Sequence, residues 1–252
     1  MSSFLLAVQF LTIIPLEIKE AGEDKIAKAM IYFPLVGLLL GIALSGINAI
    51  FSVMNFPSLV VSIILVVTLI AITGGMHLDG LSDTADAFLS GKPKEDMLNI
   101  MRDSHIGVMG VLSLISILFL ETGLLFSLSA AVKTAALVLM CVLSRWSAVL
   151  SMFLFPYART EGKAKVFIRG MNPKIFIFST LIAISCVIAA WGVKGLVLLL
   201  AVTVCVYLSG KSISRRIGGI TGDTLGATIE LSEVIILFGI CLMERSGGIW
   251  IR

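Results

Sequence analysis

The chain has 252 residues, of which 58% are hydrophobic and 14% are charged, with a formal net charge of +3 and a mean hydropathy of +1.07. Soluble domains carry about 25% charged residues. This composition therefore excludes an ordinary soluble domain and predicts an integral membrane protein, for which we expect lipid contacts and no nucleic-acid partner.

The apolar segments follow one another at lengths that suit a bilayer. The opening MSSFLLAVQFLTIIPLE has no basic start and no small-residue cleavage site, so it predicts a short interfacial or re-entrant helix rather than a removable signal. Roughly 20 apolar residues cross a bilayer core. Seven nearly uncharged runs meet or approach that length, the last two being short: 31–54, 56–76, 107–132, 134–158, 175–193, 195–210 and 234–243.

These runs are continuously apolar, whereas the strands of a membrane barrel alternate. We therefore predict an all-α fold, a polytopic integral membrane helix bundle with about seven spans plus the N-terminal helix. The loops have fewer than about thirty residues, too few for an independent core. The whole chain, 1–252, is thus predicted to be one membrane-embedded domain.

Lys and Arg residues in short loops set the orientation of a membrane protein. With seven spans, 14 of the 19 fall on the side of the 17–30 loop, and this side is predicted to be cytoplasmic: Lys19, Lys25, Lys28, Lys92, Lys94, Arg102, Arg159, Lys163, Lys165, Arg169, Lys174, Lys211, Arg215 and Arg216. The opposite side has Lys133, Lys194, Arg245 and Arg252, and Arg145 is intramembrane.

Two acidic groups are predicted to share the basic face. In GGMHLDGLSDTADAF, Asp79, Asp83 and Asp86 would span about 60° of a helix, and in GGITGDTLGATIELSE, Asp223, Glu230 and Glu233 would span about 80° if that segment is helical. The glycines of TGG and DG predict flexible backbone at membrane depth.

Carboxylates this close repel one another, which favours divalent cations between them. Mg²⁺ prefers such oxygen ligands and usually binds with phosphate. We therefore expect Mg²⁺ on Asp79, Asp83 and Asp86, with Asp223 as a further ligand. A solvated helix face is the alternative interpretation of each stripe.

Other polar residues complete the predicted site and one predicted ion pair. Asp86, Glu230 and His77 are unranked candidates for a general base. Within its span, Arg145 is predicted to pair with Glu121 of the preceding helix. The basic loops could neutralise phosphate oxygens beside a metal, and the substrate-binding candidates are Arg102, Asp103, Arg159, Arg215, Arg216, Asp223 and Glu233.

Five motifs in this order carry a family resemblance: YFPLVGLLLG, GGMHLDGLSDTADAF, MRDSHIGVMG, FPYARTEG and GGITGDTLGATIELSE. Together with the opening FLLAVQFLTIIPL, the chain resembles the cobalamin synthase family, adenosylcobinamide-GDP ribazoletransferase, up to about position 240. The resemblance implies a Mg²⁺-dependent enzyme of the prokaryotic cytoplasmic (inner) membrane whose site faces the cytoplasm. It would join α-ribazole, or its 5′-phosphate, to adenosylcobinamide-GDP and release GMP.

Two other functions remain as alternatives at this stage. A CDP-alcohol-type phosphotransferase also uses clustered aspartates, although its D-G-x-x-A-R start is replaced by Asp83 and Thr84 after Asp79 and Gly80. A cation or metabolite transporter would concentrate polar groups near the membrane midplane. The sequence leaves the oligomeric state open, a homo-oligomer included.

Overall fold

The computed structural model describes residues 3–16, 22–162 and 164–246, and within them the regular elements are helices, apart from an isolated β-bridge between Tyr157 and Ile220. Lys19, Lys163 and Arg252, which entered the charge count, lie outside the described residues. The described helices are α1 (Ser3–Leu11), α2 (Glu23–Ala29), α3 (Phe33–Val53), α4 (Ser58–Thr73), α5 (Met76–Leu89), α6 (Lys94–Ile100), α7 (Val108–Ser127), α8 (Ala130–Leu154), α9 (Ala164–Gly170), α10 (Pro173–Trp191), α11 (Lys194–Ile217) and α12 (Gly222–Ser246).

The all-α membrane bundle predicted from composition is confirmed. In the described part of the chain, six helices are long and apolar enough to cross a membrane, and α4 with α5 makes a seventh if this bent pair counts as one span. The short N-terminal helix is present as α1. The last two spans are longer than predicted, at 24 and 25 residues, because each helix continues into polar sequence beyond its apolar run.

Helix α8 forms the centre of the bundle and packs against α3, α10, α11 and α12. On α3, Gly37 and Gly41 let the two backbones approach, since a Cβ added at Gly41 would lie 2.6 Å from the Cα of Val138. Small residues four apart commonly allow such close helix packing in membranes. Around this centre, the outer helices present large apolar side chains outward, such as Phe119, which is 75% exposed. This surface suits a lipid environment.

A sharp bend separates α4 from α5. The two helices meet at 91°, and both Gly74 and Gly75 have φ of +67°, which favours glycine because it has no Cβ. Gly80 differs from the expected flexible backbone, since it lies inside α5. A Cβ there would come within 2.7 Å of the Asp223 carbonyl oxygen, so Gly80 allows α5 to cross close to α12.

The loops predicted to share one face do lie together. The α8–α9 loop meets the α11–α12 turn, where the Ala158 N–H donates to the Ile220 carbonyl at 2.9 Å. The end of α11 meets the end of α5, where Arg216 donates to the Phe88 carbonyl at 2.9 Å. The first acidic group and the start of α12 therefore meet at one end of the bundle.

Candidate functional site

Two aspartates of α5 and one of α12 line a polar cavity. Asp79 and Asp83 are four residues apart and so lie on one face of their helix. Together with Asp223 they border a cavity of about 730 Å³. Arg102 and Asp103, from the segment after α6, also line it. The structure therefore brings together members of both acidic groups that the sequence placed on one face.

A second, more apolar cavity of about 300 Å³ adjoins the first. Asp79, Asp223 and Met76 line both cavities, so the two aspartates lie at their shared border. The remaining lining residues are His77, Tyr157, Arg159 and a mainly apolar set: Phe10, Leu11, Phe33, Ala148, Met152, Gly162, Ala164, Gly222, Leu225, Gly226 and Ile229. The site therefore has a polar cavity with charged residues beside an apolar cavity.

Asp223 is held in the first turn of α12. The turn before it is fixed by Thr221 and Thr224, since the Thr221 N–H donates to Thr224 Oγ1 at 2.8 Å. Arg159 Nη2 then donates to Asp223 Oδ2 at 2.7 Å. This ion pair positions one predicted phosphate-binding arginine at the border of the cavities.

Asp86 has a different environment from Asp79 and Asp83. Its two carboxylate oxygens accept the backbone N–H groups of Gly107 and Gly110, at 2.7 and 2.8 Å. These are the N-cap and first-turn residues of α7, where free N–H groups and the helix dipole favour an anion. The structure therefore uses both oxygens of Asp86 to attach α5 to α7, and Asp86 is not among the residues that line the two cavities.

The predicted basic residues separate into two groups. Arg102 lines the polar cavity beside Asp103, whose carboxylate lies 2.6 Å from His105 Nδ1. This hydrogen bond lowers the pKa of Asp103 and raises the pKa of His105. By contrast, Arg215 and Arg216 are exposed at the end of α11 and are not among the residues that line the two cavities.

Glu230 and Glu233 do not lie at the membrane face, which corrects the prediction. Helix α12 runs without a break from Gly222, so at 1.5 Å per residue these side chains start about 12 and 16 Å along it. Both are buried inside the bundle. His77 is buried next to them, with Nδ1 at 4.0 Å from Glu230 Oε1, and it also lines the apolar cavity.

The predicted Arg145–Glu121 pair is also wrong in its partner. Arg145 is fully buried and forms its ion pair with Glu233, whose Oε1 also accepts a hydrogen bond from Ser144 at 3.1 Å. Glu121 lies nearby instead, and one oxygen from each of Glu121, Glu230 and Glu233 falls within 4.8 Å of the others. Asp223, Glu230 and Glu233 are seven and three residues apart, a spacing that places them on one face of a helix. If the final predicted span had begun at 222 instead of 234, this spacing could have indicated that Glu230 and Glu233 lie inside the bundle.

Asp79, Asp83 and Asp223 bring carboxylate oxygens to one cavity, but these oxygens do not all lie within 4.8 Å of one another, so side-chain movements would be needed to place all three on one Mg²⁺ ion. They offer only carboxylate oxygens, which hard divalent cations prefer. The negative charges of Asp79 and Asp223 both act on Asp83, so a cation among them would relieve repulsion. The cavity that they border, of about 730 Å³, also has room for water and phosphate, the usual further ligands of Mg²⁺.

Comparison with known proteins agrees with the motifs quoted above. A family model described as Cobalamin-5-phosphate synthase matches residues 3–241. A protein of Desulforamulus reducens named adenosylcobinamide-GDP ribazoletransferase is 37% identical over 244 residues, which cover 97% of this chain and 98% of the relative. A protein of the same name from Roseiflexus sp. is 38% identical, with 92% and 86% covered, and one from Clostridioides difficile is 34% identical, with 96% and 98% covered.

No solved structure matches the chain. The family match extends over almost the whole sequence, from α1 to within α12, and includes every residue of the two cavities. The chain therefore belongs to the cobalamin-5-phosphate synthase family.

Proposed function

We propose that this chain transfers the cobinamide-phosphate group of adenosylcobinamide-GDP to α-ribazole or its 5′-phosphate, late in cobalamin biosynthesis. The 3′-hydroxyl oxygen of ribazole forms a bond to the phosphorus nearer the corrinoid, and the bond from that phosphorus to the GMP oxygen breaks. The products are adenosylcobalamin, or its 5′-phosphate, and GMP. The hydroxyl proton passes to a base.

The observation that carries this proposal is the position of Asp79 and Asp223 at the border of a polar and an apolar cavity. A substrate with a charged diphosphate beside a large organic group needs both environments. We assign the diphosphate to the polar cavity, where Arg102 is available, and the less polar part of a substrate to the cavity lined by Phe33 and Met152.

The polar residues of the two cavities have separate roles in this proposal. Asp79, Asp83 and Asp223 would hold Mg²⁺, which supplies neutralisation of the diphosphate and of the charge that develops on the leaving GMP. Arg159, fixed by Asp223, orients a phosphate by hydrogen bonds from its guanidinium. His77 is the better placed of the predicted bases, because it lines the apolar cavity that Asp79 and Asp223 border, whereas neither Glu230 nor Asp86 lines either cavity.

We place the chain in the prokaryotic inner membrane with these cavities open to the cytoplasm. The support is the excess of Lys and Arg at this end of the bundle. A cytoplasmic site would meet its nucleotide-activated substrate directly.

The test is transfer by the purified protein in detergent, with adenosylcobinamide-GDP, α-ribazole 5′-phosphate and Mg²⁺, followed by mass spectrometry of GMP and the corrinoid product. Asp83→Asn keeps the size of the side chain and removes its charge. Loss of a contact worth about 2.7 kcal/mol in the transition state would lower the rate about a hundredfold, so we expect at least that loss with an unchanged fold.

Asp96→Asn is the matched control, because Asp96 is exposed on α6 and should retain activity within a few fold. If Asp83→Asn folds and is as active as this control, the metal assignment is wrong. If the parent protein moves the corrinoid across a membrane without releasing GMP, the chain is a transporter and the proposed transfer reaction is wrong.

A further inference from the structure

Three carboxylates converge inside the membrane part of the bundle, away from the cavities. They come from two helices, with Glu121 on α7 and Glu230 and Glu233 on α12. Each is at most 7% exposed, and one oxygen from each lies within 4.8 Å of the other two. We name this set the buried glutamate cluster.

The charges of the buried glutamate cluster are not balanced by the protein groups that contact it. Arg145 pairs with Glu233 and offsets one negative charge. His77 lies 4.0 Å from Glu230 and adds no charge while it is neutral. If all three carboxylates were ionised, one arginine would leave two negative charges, which are expensive in a low-dielectric interior, so either protons or a bound cation must neutralise them.

An independent observation points to a ligand. Glu121 is 4% exposed, and its Oε1 has no hydrogen-bond partner among the described residues. A buried carboxylate oxygen without a partner costs the full desolvation free energy of that group. Glu121 also contributes an oxygen to the cluster, so a cation bound among the three carboxylates would contact the carboxylate that lacks a partner.

The spacing of the oxygens suits a metal ion. A point between three atoms that lie within 4.8 Å of one another is at most about 2.8 Å from each, and Ca²⁺ binds oxygen at about 2.3–2.6 Å while Mg²⁺ binds at about 2.0–2.1 Å. Small side-chain movements would therefore complete the contacts. Donors that are all oxygen favour these hard cations over Zn²⁺ or copper.

We propose that the buried glutamate cluster binds one hard divalent cation, Mg²⁺ or Ca²⁺, inside the membrane, as a second metal site distinct from the aspartates of the cavities. The ion balances the two remaining charges and links α7 to α12, while Arg145 attaches α8 to the same group. This site holds the spans together behind His77 and takes no part in the group transfer.

The test counts metal ions in protein that lacks two of the three proposed Mg²⁺ ligands of the polar cavity, Asp79 and Asp83. The background variant Asp79→Asn with Asp83→Asn is purified in detergent, dialysed against MgCl₂ or CaCl₂, desalted and measured by elemental analysis. We expect one ion per chain in this background. Adding Glu121→Gln should reduce the content at least tenfold, whereas Glu244→Gln, at the far end of α12, should leave it unchanged.

The other outcomes overturn the proposal. A folded background variant without a bound ion means that protons neutralise the cluster, and an ion retained after Glu121→Gln means adventitious binding elsewhere. If Glu121→Gln does not fold, the background variant is melted with Ca²⁺, with Mg²⁺ and with chelator alone. A melting temperature that neither ion raises then refutes the site, and because this readout needs no activity it is independent of the proposed transfer.

Discussion

Replacing Asp86 by Asn tests the distinction that the structure makes among the three aspartates of α5. Both oxygens of Asp86 accept backbone N–H groups at the start of α7. An asparagine keeps one acceptor oxygen, but its NH₂ group would face the other N–H. One charge-assisted hydrogen bond is therefore lost and a donor is left without a partner.

The magnitude follows from the bonds involved. Hydrogen bonds to charged groups contribute about 1.5–3 kcal/mol, and 1 kcal/mol shifts the melting temperature of a protein of 150–250 residues by about 2–4 °C. We expect Asp86→Asn to lower the free energy of unfolding by about 1.5–3 kcal/mol and the melting temperature by about 3–12 °C. The measurement is thermal unfolding of the purified protein in detergent without substrate or added metal.

Two variants serve as controls for this experiment. Asp83→Asn removes a repelled charge from the cavity, so its melting temperature should equal or exceed that of the parent. Asp96→Asn, on the exposed first turn of α6, loses only a helix-dipole interaction of about 0.3–1 kcal/mol. If Asp86→Asn has the melting temperature of the parent and is as inactive as Asp83→Asn, Asp86 belongs to the catalytic group and its role is not to attach α5 to α7.

Two further predictions concern the buried charges and the topology. Arg145→Ala leaves Glu233 without its partner and should lower the free energy of unfolding by roughly 3–5 kcal/mol, so the yield of purified protein should fall. The double variant Arg145→Met with Glu233→Leu should recover part of that yield. An Arg145→Ala variant with normal yield and melting temperature would contradict the pairing. Reporter fusions after Lys92 and Arg216 should both behave as cytoplasmic and a fusion after Lys194 as external, and opposite signals at the first two would contradict the shared face.

The family and the helical membrane architecture were both predictable from the sequence. The family is confirmed by the match over residues 3–241, and the apolar runs correspond to helices that can cross a membrane. The shared face of Asp79 and Asp223 also follows from counting spans, because an even number of crossings separates the two segments. Their roles as metal ligands stay a prediction.

The errors arise from the start of one helix and from the rotation of others. Glu230 and Glu233 are predicted at the face because the last apolar run begins at 234, but α12 begins at Gly222 and carries both into the bundle, where Arg145 and Ser144 offset part of the cost of burying Glu233. The choice of Glu233 over Glu121 as the partner of Arg145 depends on how α7, α8 and α12 pack. From the sequence, only the depth of each residue along its helix could be estimated. That depth does not determine how neighbouring helices are rotated about their axes.

The sequence by itself determined the properties that depend on local composition and periodicity: membrane residence, helical spans, the face on which loops meet, and the family. Only the tertiary structure decided which groups surround each of several similar carboxylates. Asp86 lies three positions after Asp83, yet its oxygens accept hydrogen bonds from the N–H groups of Gly107 and Gly110, more than twenty residues away. Such contacts depend on the bend at Gly74 and Gly75 and on the close crossing of α5 with α12, because a side chain's role is set by the groups that packing brings to it.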